Sequence, residues 1–163
     1  MEIPPDPLGY TDDWGEANAI NDSGYIVGGG THPGITTSWQ LICAELWNSY
    51  SPANQTTLLP NCVQWLAMFS ATSISSDNWV VGSDEDSRGG VPHYPPFLIV
   101  PETGCALTDL NALLDASGSG WTIVSANGIN SQHQIVGSAT SPKNGSLHAV
   151  LLTPNSRPLC YPD

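Results

Sequence analysis

The sequence predicts an all-β fold built from three copies of one antiparallel sheet. A nine-residue phrase occurs three times in the 163-residue chain and ends at Gly28, Gly82 and Gly137, so the copies lie 54 and 55 residues apart. A regular spacing, just above the roughly 20–50 residues of most repeat arrays, indicates one supersecondary unit copied along the chain. Pairs of β-branched residues next to polar turn residues favour strands in every copy.

The repeats divide a single domain, residues 1–163, into three units. The spacing places repeat 1 at about residues 1–60, repeat 2 at about 61–115 and repeat 3 at about 116–163. A chain of this length is sufficient for one domain with a buried core.

Each copy of the phrase predicts a β-hairpin. A first strand is followed by a polar turn, and a short second strand then leads to the glycine. Glycine at the end of each second strand predicts a bend or a close approach of two backbones. Six residues are therefore expected to be structural: Ile20, Gly28, Ile74, Gly82, Ile129 and Gly137.

A third and a fourth strand complete each unit. The third strands are predicted in the densely apolar stretches 41–47, 97–100 and 149–152, and unbroken apolar runs of this length favour strands covered on both faces. The fourth strands are predicted at 105–108 and 159–161. Between the second and third repeats, residues 108–117 have leucines at helical spacing, which predicts a turn or two of helix.

Four antiparallel strands in about 54 residues are typical of a propeller blade. A threefold β-prism, with the three sheets around one axis, is the alternative architecture. Because propellers usually have roughly four to eight blades, three blades are too few to close a ring. Two chains could complete a six-bladed ring, or chains could add head to tail into a filament. The expected partner is therefore another copy of the chain.

The composition excludes several partners. Fifteen acidic residues face three basic ones, giving a net charge of −12. Such a surface cannot neutralise the phosphates of a nucleic acid, and it would be repelled by an anionic membrane. No apolar run reaches the roughly 18 residues of a membrane-spanning helix. No cofactor is predicted, although the acidity leaves room for a cation such as calcium.

An extracellular or cell-surface location is expected from the cysteines and polar residues. Four cysteines without a CxxC pair are compatible with disulfides, and scarce lysine with abundant Ser, Thr and Asn is typical of exported proteins. The N-terminus carries no signal-peptide pattern, so the alternatives are a mature exported form or an intracellular protein with free thiols. A Cys43–Cys62 pair within one repeat is favoured, and the other pairings remain open, as does a link from Cys160 to another chain. The cysteines are Cys43, Cys62, Cys105 and Cys160. Sequons for N-glycosylation occur at Asn21, Asn54 and Asn144.

The repeat resembles the extracellular HAF repeats of bacterial secreted proteins. The resemblance rests on residues 17–24 of the first copy, and on 121–130 and 148–154, which look like the final repeat of that family. It implies a secreted, propeller-like module and brings no catalytic residues. The chain departs from the family phrase at three positions: Ser75, Asn78 and His133.

Two groups of residues are candidates for ligand binding. The carboxylates of Asp84, Glu85 and Asp86 lie in a glycine-containing loop and could hold calcium, although a solvated surface loop is the favoured interpretation. Trp39 and Trp79 stand beside polar loops, and as exposed side chains they could stack on sugars or anchor a protein interface.

The patterns of an enzyme are not found in the sequence. The four histidines have no zinc-ligand spacing, and no nucleophile elbow or phosphate-binding loop occurs. The sequence therefore predicts a secreted, non-catalytic structural protein that assembles into an oligomer or filament. A carbohydrate- or surface-binding module is the alternative, and a hydrolase has no supporting residues.

Overall fold

A computed structural model describes residues 15–32, 41–48, 56–58, 69–84, 95–100 and 107–155. Within these residues the chain forms eleven strands in three antiparallel sheets. The first sheet has the order β1-β2-β3-β4, with β1 Gly15–Ile20, β2 Tyr25–His32, β3 Leu41–Asn48 and β4 Thr56–Leu58. The second has the order β5-β6-β7-β8, with β5 Phe69–Ile74, β6 Val80–Asp84, β7 Phe97–Ile99 and β8 Thr108–Asp109. The third has the order β9-β10-β11, with β9 Thr122–Ile129, β10 Ile135–Thr140 and β11 Leu147–Leu152.

The all-β fold class and the three blade-like antiparallel sheets are confirmed. Each phrase forms the predicted hairpin, since β1 pairs with β2, β5 with β6 and β9 with β10. The fourth strand of the second sheet begins at Thr108 rather than at 105, and residues 105, 106 and 159–161 lie outside the described part.

The predicted burial of the last apolar strand is wrong. The stretch 149–152 of β11 is predicted to be covered on both faces, but Ala149 is exposed and Leu151 is 59% exposed. The apolar run is a strand as predicted, and one of its faces lies in solvent. A run of apolar residues shows that a strand is suited to burial, but it does not show that the chain supplies a sheet for each face.

A β-bulge lies in the first strand of every hairpin, next to the repeat glycine. The register shifts between Ala17 and Ala19 in β1 and between Ala71 and Ser73 in β5, and the third hairpin shifts at Gly137. A Cβ atom at any of the three repeat glycines would collide with a carbonyl oxygen of the neighbouring strand. The predicted close backbone approach is therefore confirmed.

The three sheets stack one after another, with one apolar core between the first and second sheets and another between the second and third. Val27 of the first sheet packs with Ile74, Val80 and Phe97 of the second. The opposite face of the second sheet packs against the third sheet, through a cluster formed by Trp79, Val81, Leu98, Val100, Leu110, Ala126 and Ile135. A middle sheet covered on both sides is the arrangement of consecutive propeller blades, whereas a threefold prism would gather all three sheets around one core.

Two 3-10 turns connect the second sheet to the third, where a turn or two of helix was predicted. They cover Leu110–Leu113 and Ala116–Gly118. The side-chain Nδ2 of Asn111 donates to Ile123 O at 3.2 Å, and Ile123 N donates to Asn111 Oδ1 at 2.7 Å. This reciprocal pair ties the first 3-10 turn to the start of β9.

Candidate interaction surfaces

The bulged residues of the first two hairpins reach across to the next sheet. Asn18, in the first bulge, donates from Nδ2 to Ala71 O at 3.1 Å. Thr72, at the same place in the second repeat, donates from Oγ1 to Ala126 O at 2.6 Å. A bulge turns a side chain out of the regular alternation of a strand, which explains how these residues contact the neighbouring sheet. The equivalent residue of the third repeat is Asn127.

The turn of the first repeat is also joined to the second sheet. Asn21 donates from Nδ2 to Ser75 O at 2.9 Å and to Asn78 Oδ1 at 2.8 Å. Its Oδ1 accepts hydrogen bonds from the backbone nitrogens of Ser23 and Tyr25. N-glycosylation at Asn21 would modify the nitrogen that makes both inter-sheet bonds, so a glycan there would require these bonds to be broken.

One turn position has a positive φ in all three repeats. Gly24, Asn78 and His133 have φ values of 76°, 70° and 59°. Left-handed backbone costs a non-glycine residue about 1–2 kcal/mol, less for asparagine. At the two positions where glycine is replaced, the new side chain contacts the preceding sheet. Asn78 accepts the bond from the first turn, and His133 contacts Asp77 and Trp79.

His133 joins the second and third sheets through two contacts. Its ring stacks on Trp79 with centroids 3.7 Å apart and an interplanar angle of 13°. Its Nε2 lies 2.7 Å from Asp77 Oδ2, and since an ionised carboxylate only accepts, the ring nitrogen donates. These contacts compensate for the unfavourable backbone conformation of His133.

The carboxylate of Asp77 is held in its ionised form. Partial burial opposes ionisation, but the hydrogen bonds from Ser75 and His133 outweigh it and lower the pKa of Asp77 below its ordinary value. The Ser75 hydroxyl donates to Asp77 Oδ1 at 2.6 Å and accepts from Trp79 N at 2.9 Å. The turn is thus organised around a negative charge that faces the third sheet.

The stack ends in two apolar faces. The trailing face is the outer side of the third sheet and contains Val136, Leu147 and Leu151, which are 50%, 61% and 59% exposed. The leading face is the outer side of the first sheet and contains Ile20, which is 62% exposed, with half-buried Ile26 beside it in the pairing register. Large apolar side chains exposed together on a sheet face indicate an interaction site.

A cleft of about 480 Å³ lies beside the junction of the second and third sheets. Leu113, Trp121 and Asp115 contribute to its lining. Hydrogen bonds from Ser117 and Asn155 lower the pKa of Asp115 below its ordinary value. Trp79 also lines the cleft, and its buried indole Nε1 has no hydrogen-bond partner among the described residues.

The residues proposed for ligand binding are not brought together by the described part of the structure. Trp79 is 1% exposed, so its predicted place at the surface is wrong: the third sheet and His133 cover it. Trp39, Glu85 and Asp86 lie outside the described residues, and of Asp84 only its place at the end of β6 is described. No group of three or more His, Cys, Asp or Glu residues that could hold a metal occurs in the described ranges.

The disulfide and glycosylation predictions remain predictions. Cys62, Cys105, Cys160 and Asn54 lie outside the described residues, and Cys43 is described only as part of β3. Asn144 is exposed, and its Oδ1 accepts from Ser146 N at 3.1 Å.

The sequence did not single out the bulged residues Asn18, Thr72 and Asn127, which mark the inter-sheet contacts. A signal was available, since a polar residue with a hydrogen-bonding side chain stands two places before the isoleucine of every copy.

The described residues contain no helix long and apolar enough to cross a membrane. Comparisons with protein-family models, with curated proteins and with solved structures found no significant match to the chain.

Proposed function

We propose that this protein is a secreted, non-catalytic structural subunit that associates with copies of itself through the two open sheet faces. The observation that supports the proposal is the trailing face, where Val136 and Leu151 are paired in register and both are at least half exposed. Their equivalents in the second sheet, Val81 and Leu98, form the same pair and are 0% and 3% exposed. The side chains are therefore of the kind that the fold buries wherever a following sheet exists.

Burial of the trailing face would be favourable but modest for each side chain. Full burial of a Val or Leu side chain contributes about 1.5–3 kcal/mol, so covering the exposed half of Val136 or Leu151 would contribute about 1 kcal/mol each. Association therefore needs the whole face, together with polar contacts that align the two sheets. This requirement favours a specific interface over general adhesion.

The charge of the chain sets the conditions for association. With a net charge of −12, two copies repel each other at long range. Salt screens this repulsion over about 10 Å at 0.1 M ionic strength, while apolar burial is retained. We therefore expect association to strengthen as sodium chloride is added, which is the opposite of the response of a binder that depends on charge pairing.

The proposal is tested by light scattering on the purified chain over a hundredfold range of concentration, together with electron micrographs of the same samples. We expect the scattering mass to rise with concentration and the micrographs to show rings or filaments. A mass equal to that of one chain at every concentration and salt level would refute self-association.

Secretion and membership of the HAF repeats are part of the proposal and rest on the resemblance of the phrase. Four cysteines and the scarcity of lysine support an extracellular place. Expression with an export signal should yield a chain without reactive thiols, as measured by a thiol reagent under denaturing conditions. Four reactive thiols in that material would count against the exported, disulfide-bonded form.

The cleft supports a second candidate, a carbohydrate-binding module. Trp121 is partly exposed beside the carboxylate of Asp115, and an aromatic ring next to hydrogen-bonding groups suits a sugar. Quenching or enhancement of tryptophan fluorescence by an oligosaccharide panel would detect binding. Because both substitutions remove the Trp121 indole, the variants are compared by isothermal titration calorimetry, and the carbohydrate candidate requires that binding be lost in Trp121→Ala and kept in Trp121→Phe.

A further inference from the structure

We propose that the trailing face of one copy docks on the leading face of a second copy, in the register that relates successive repeats within the chain. The inference rests on the proposed self-association and specifies its geometry. The contact is heterologous: the third sheet of one copy takes the first sheet of the next as its following blade.

The first line of support is the burial of one position in the three repeats. Val27, Val81 and Val136 occupy the same place in the phrase, and the first two pack against the following sheet. They are 0%, 0% and 50% exposed. The residue is buried whenever another repeat follows, so the surface that fits over Val136 is the leading surface of a repeat.

The second line of support is the opposite end of the stack, where residues of the first sheet are more exposed than their equivalents in the second sheet. Ile74 packs against the preceding sheet and is 7% exposed, whereas its equivalent Ile20 is 62% exposed. Val80 is fully buried against the same preceding sheet, whereas its equivalent Ile26 is only half-buried. The first repeat therefore has the leading surface that the third repeat needs, and no preceding repeat covers it within the described residues.

The inter-sheet hydrogen bonds give the register. The bond runs from Asn18 to Ala71 O between the first two sheets and from Thr72 to Ala126 O between the next two. Continuing the series, Asn127 of one copy is the donor and Ala17 O of the next copy is the acceptor. Asn127 is exposed, and within its own chain its Oδ1 accepts from Ser125 Oγ at 2.7 Å, which leaves the amide nitrogen available to donate.

A face-to-face contact between two third sheets fits the observations less well. It would pair two trailing faces, so that both copies would present the donor Asn127 and neither would present the acceptor of the series. It would also leave Ile20 exposed in both copies. The head-to-tail contact covers both apolar ends and satisfies the repeat hydrogen bond at the same time.

Head-to-tail docking has a defined stoichiometric consequence. Two copies bring together six sheets, which lies within the roughly four to eight blades of closed propellers. If the geometry of the contact closes, assembly ends at two copies, and if it does not, the same contact continues as a filament. Both products contain the same interface.

The test uses one variant that blocks each face. Leu151→Asp places a charge on the trailing face, and Ile20→Asp places one on the leading face, at positions exposed enough to leave the fold intact. Ala112→Asp is the matched control, because Ala112 is exposed in the 3-10 turn Leu110–Leu113, outside both faces, and does not line the cleft. Urea unfolding monitored by tryptophan fluorescence verifies that each variant is folded.

Native mass spectrometry then reads the assembly of each variant alone and of an equimolar mixture. We expect Leu151→Asp and Ile20→Asp each to remain single chains, the mixture to form one-to-one complexes and nothing larger, and Ala112→Asp to assemble like the wild type. In the mixture the intact leading face of Leu151→Asp meets the intact trailing face of Ile20→Asp, and the remaining two faces are blocked.

Three outcomes would overturn the inference, and one of them would also refute the proposed function. If the wild type assembles and the mixture does not, the contact is not head to tail, although self-association stands. If Ile20→Asp assembles like the wild type while Leu151→Asp does not, the third sheets meet each other. A wild type that stays a single chain refutes both proposals.

A second pair of variants keeps the register testable if an aspartate variant fails to fold. Asn127→Ala removes the proposed inter-copy donor from an exposed position, and Asn144→Ala is its control in an exposed turn. We expect the dissociation constant to rise about fivefold to tenfold for Asn127→Ala, as for the loss of one hydrogen bond. Equal affinities of the two variants would overturn the proposed register.

Discussion

Substitution of three glycines in the third repeat should separate positions that have no room for a side chain from positions that need the backbone freedom of glycine. Two of these glycines lie in strands of the third sheet and one lies in the turn before its last strand. A Cβ atom at Gly137 would collide with Ser125 O, which is backbone in the neighbouring strand. A Cβ at Gly128 would lie 3.2 Å from Val136 Cγ2, a methyl group of a half-exposed side chain. A Cβ at Gly145 would meet nothing within 4 Å, but Gly145 has a φ of 66°.

The three substitutions to alanine therefore have different expected costs. Gly137→Ala forces the strands of the bulge apart, and overpacking of this kind costs about 3 kcal/mol of unfolding free energy. Gly145→Ala places a side chain at a positive φ and should cost about 1 kcal/mol. For Gly128→Ala, the slight crowding is offset by the lower entropy of the unfolded chain, so its effect should stay within about 0.5 kcal/mol.

Urea unfolding monitored by tryptophan fluorescence measures these differences. Trp79 is 1% exposed, so its emission should shift strongly to the red when the chain unfolds. With a slope of about 2 kcal/mol per molar urea, Gly137→Ala should lower the midpoint by about 1.5 M. The steric reasoning is refuted if Gly137→Ala is as stable as Gly128→Ala.

Three further predictions concern the contacts between sheets. Thr72→Val should lower the unfolding free energy by about 1 kcal/mol in urea titrations, because the buried Ala126 O loses its inter-sheet donor. The control Thr72→Ser keeps a hydroxyl donor and should lower the unfolding free energy by less. His133→Gly should lower the unfolding free energy by about 1 kcal/mol, because the loss of the stack on Trp79 and of the hydrogen bond to Asp77 outweighs the relief of the positive φ. A variant more stable than the wild type would contradict this balance. The pKa of Asp77 is lowered in the folded chain, so the carboxylate stabilises the fold fully above its unfolded pKa of about 4, and this stabilisation is lost as the pH falls below that value. The melting temperature of Asp77→Asn should therefore decline less than that of the wild type between neutral and acidic pH. Parallel curves would contradict the role of the carboxylate.

Much of the fold follows from the repeat itself. A polar turn between an apolar strand and a β-branched pair is a local signal, and all three hairpins form where that signal occurs. The glycines of the phrase were correctly expected at close backbone approaches, because few other reasons place glycine regularly inside a strand.

The burial of particular side chains could not be predicted in the same way. Trp79 follows a polar turn and suggested a surface position, but His133, from the next repeat, covers it. Leu151 belongs to an apolar run and suggested a core position, but the third sheet has no following sheet within the described residues. Both differences depend on which repeats are neighbours in space, and a local pattern contains no information on that.

The departures from the repeat phrase carried more information than the sequence alone revealed. Asn78 and His133 replace a glycine at a positive φ, which in isolation is an unfavourable choice. The structure explains both, since each side chain contacts the preceding sheet. A substitution that breaks a backbone preference in a repeat is thus a sign of an inter-repeat contact.

Hydrogen–deuterium exchange at low and high protein concentration tests the central claim most directly. If the two open faces are the contact surfaces, peptides covering residues 147–152 and 15–20 should become protected together as the concentration rises, because a docked face opens less often. The strand at 97–99 is already buried and should not change. Exchange at both end strands that is independent of concentration, in a sample that nevertheless associates, would contradict the account.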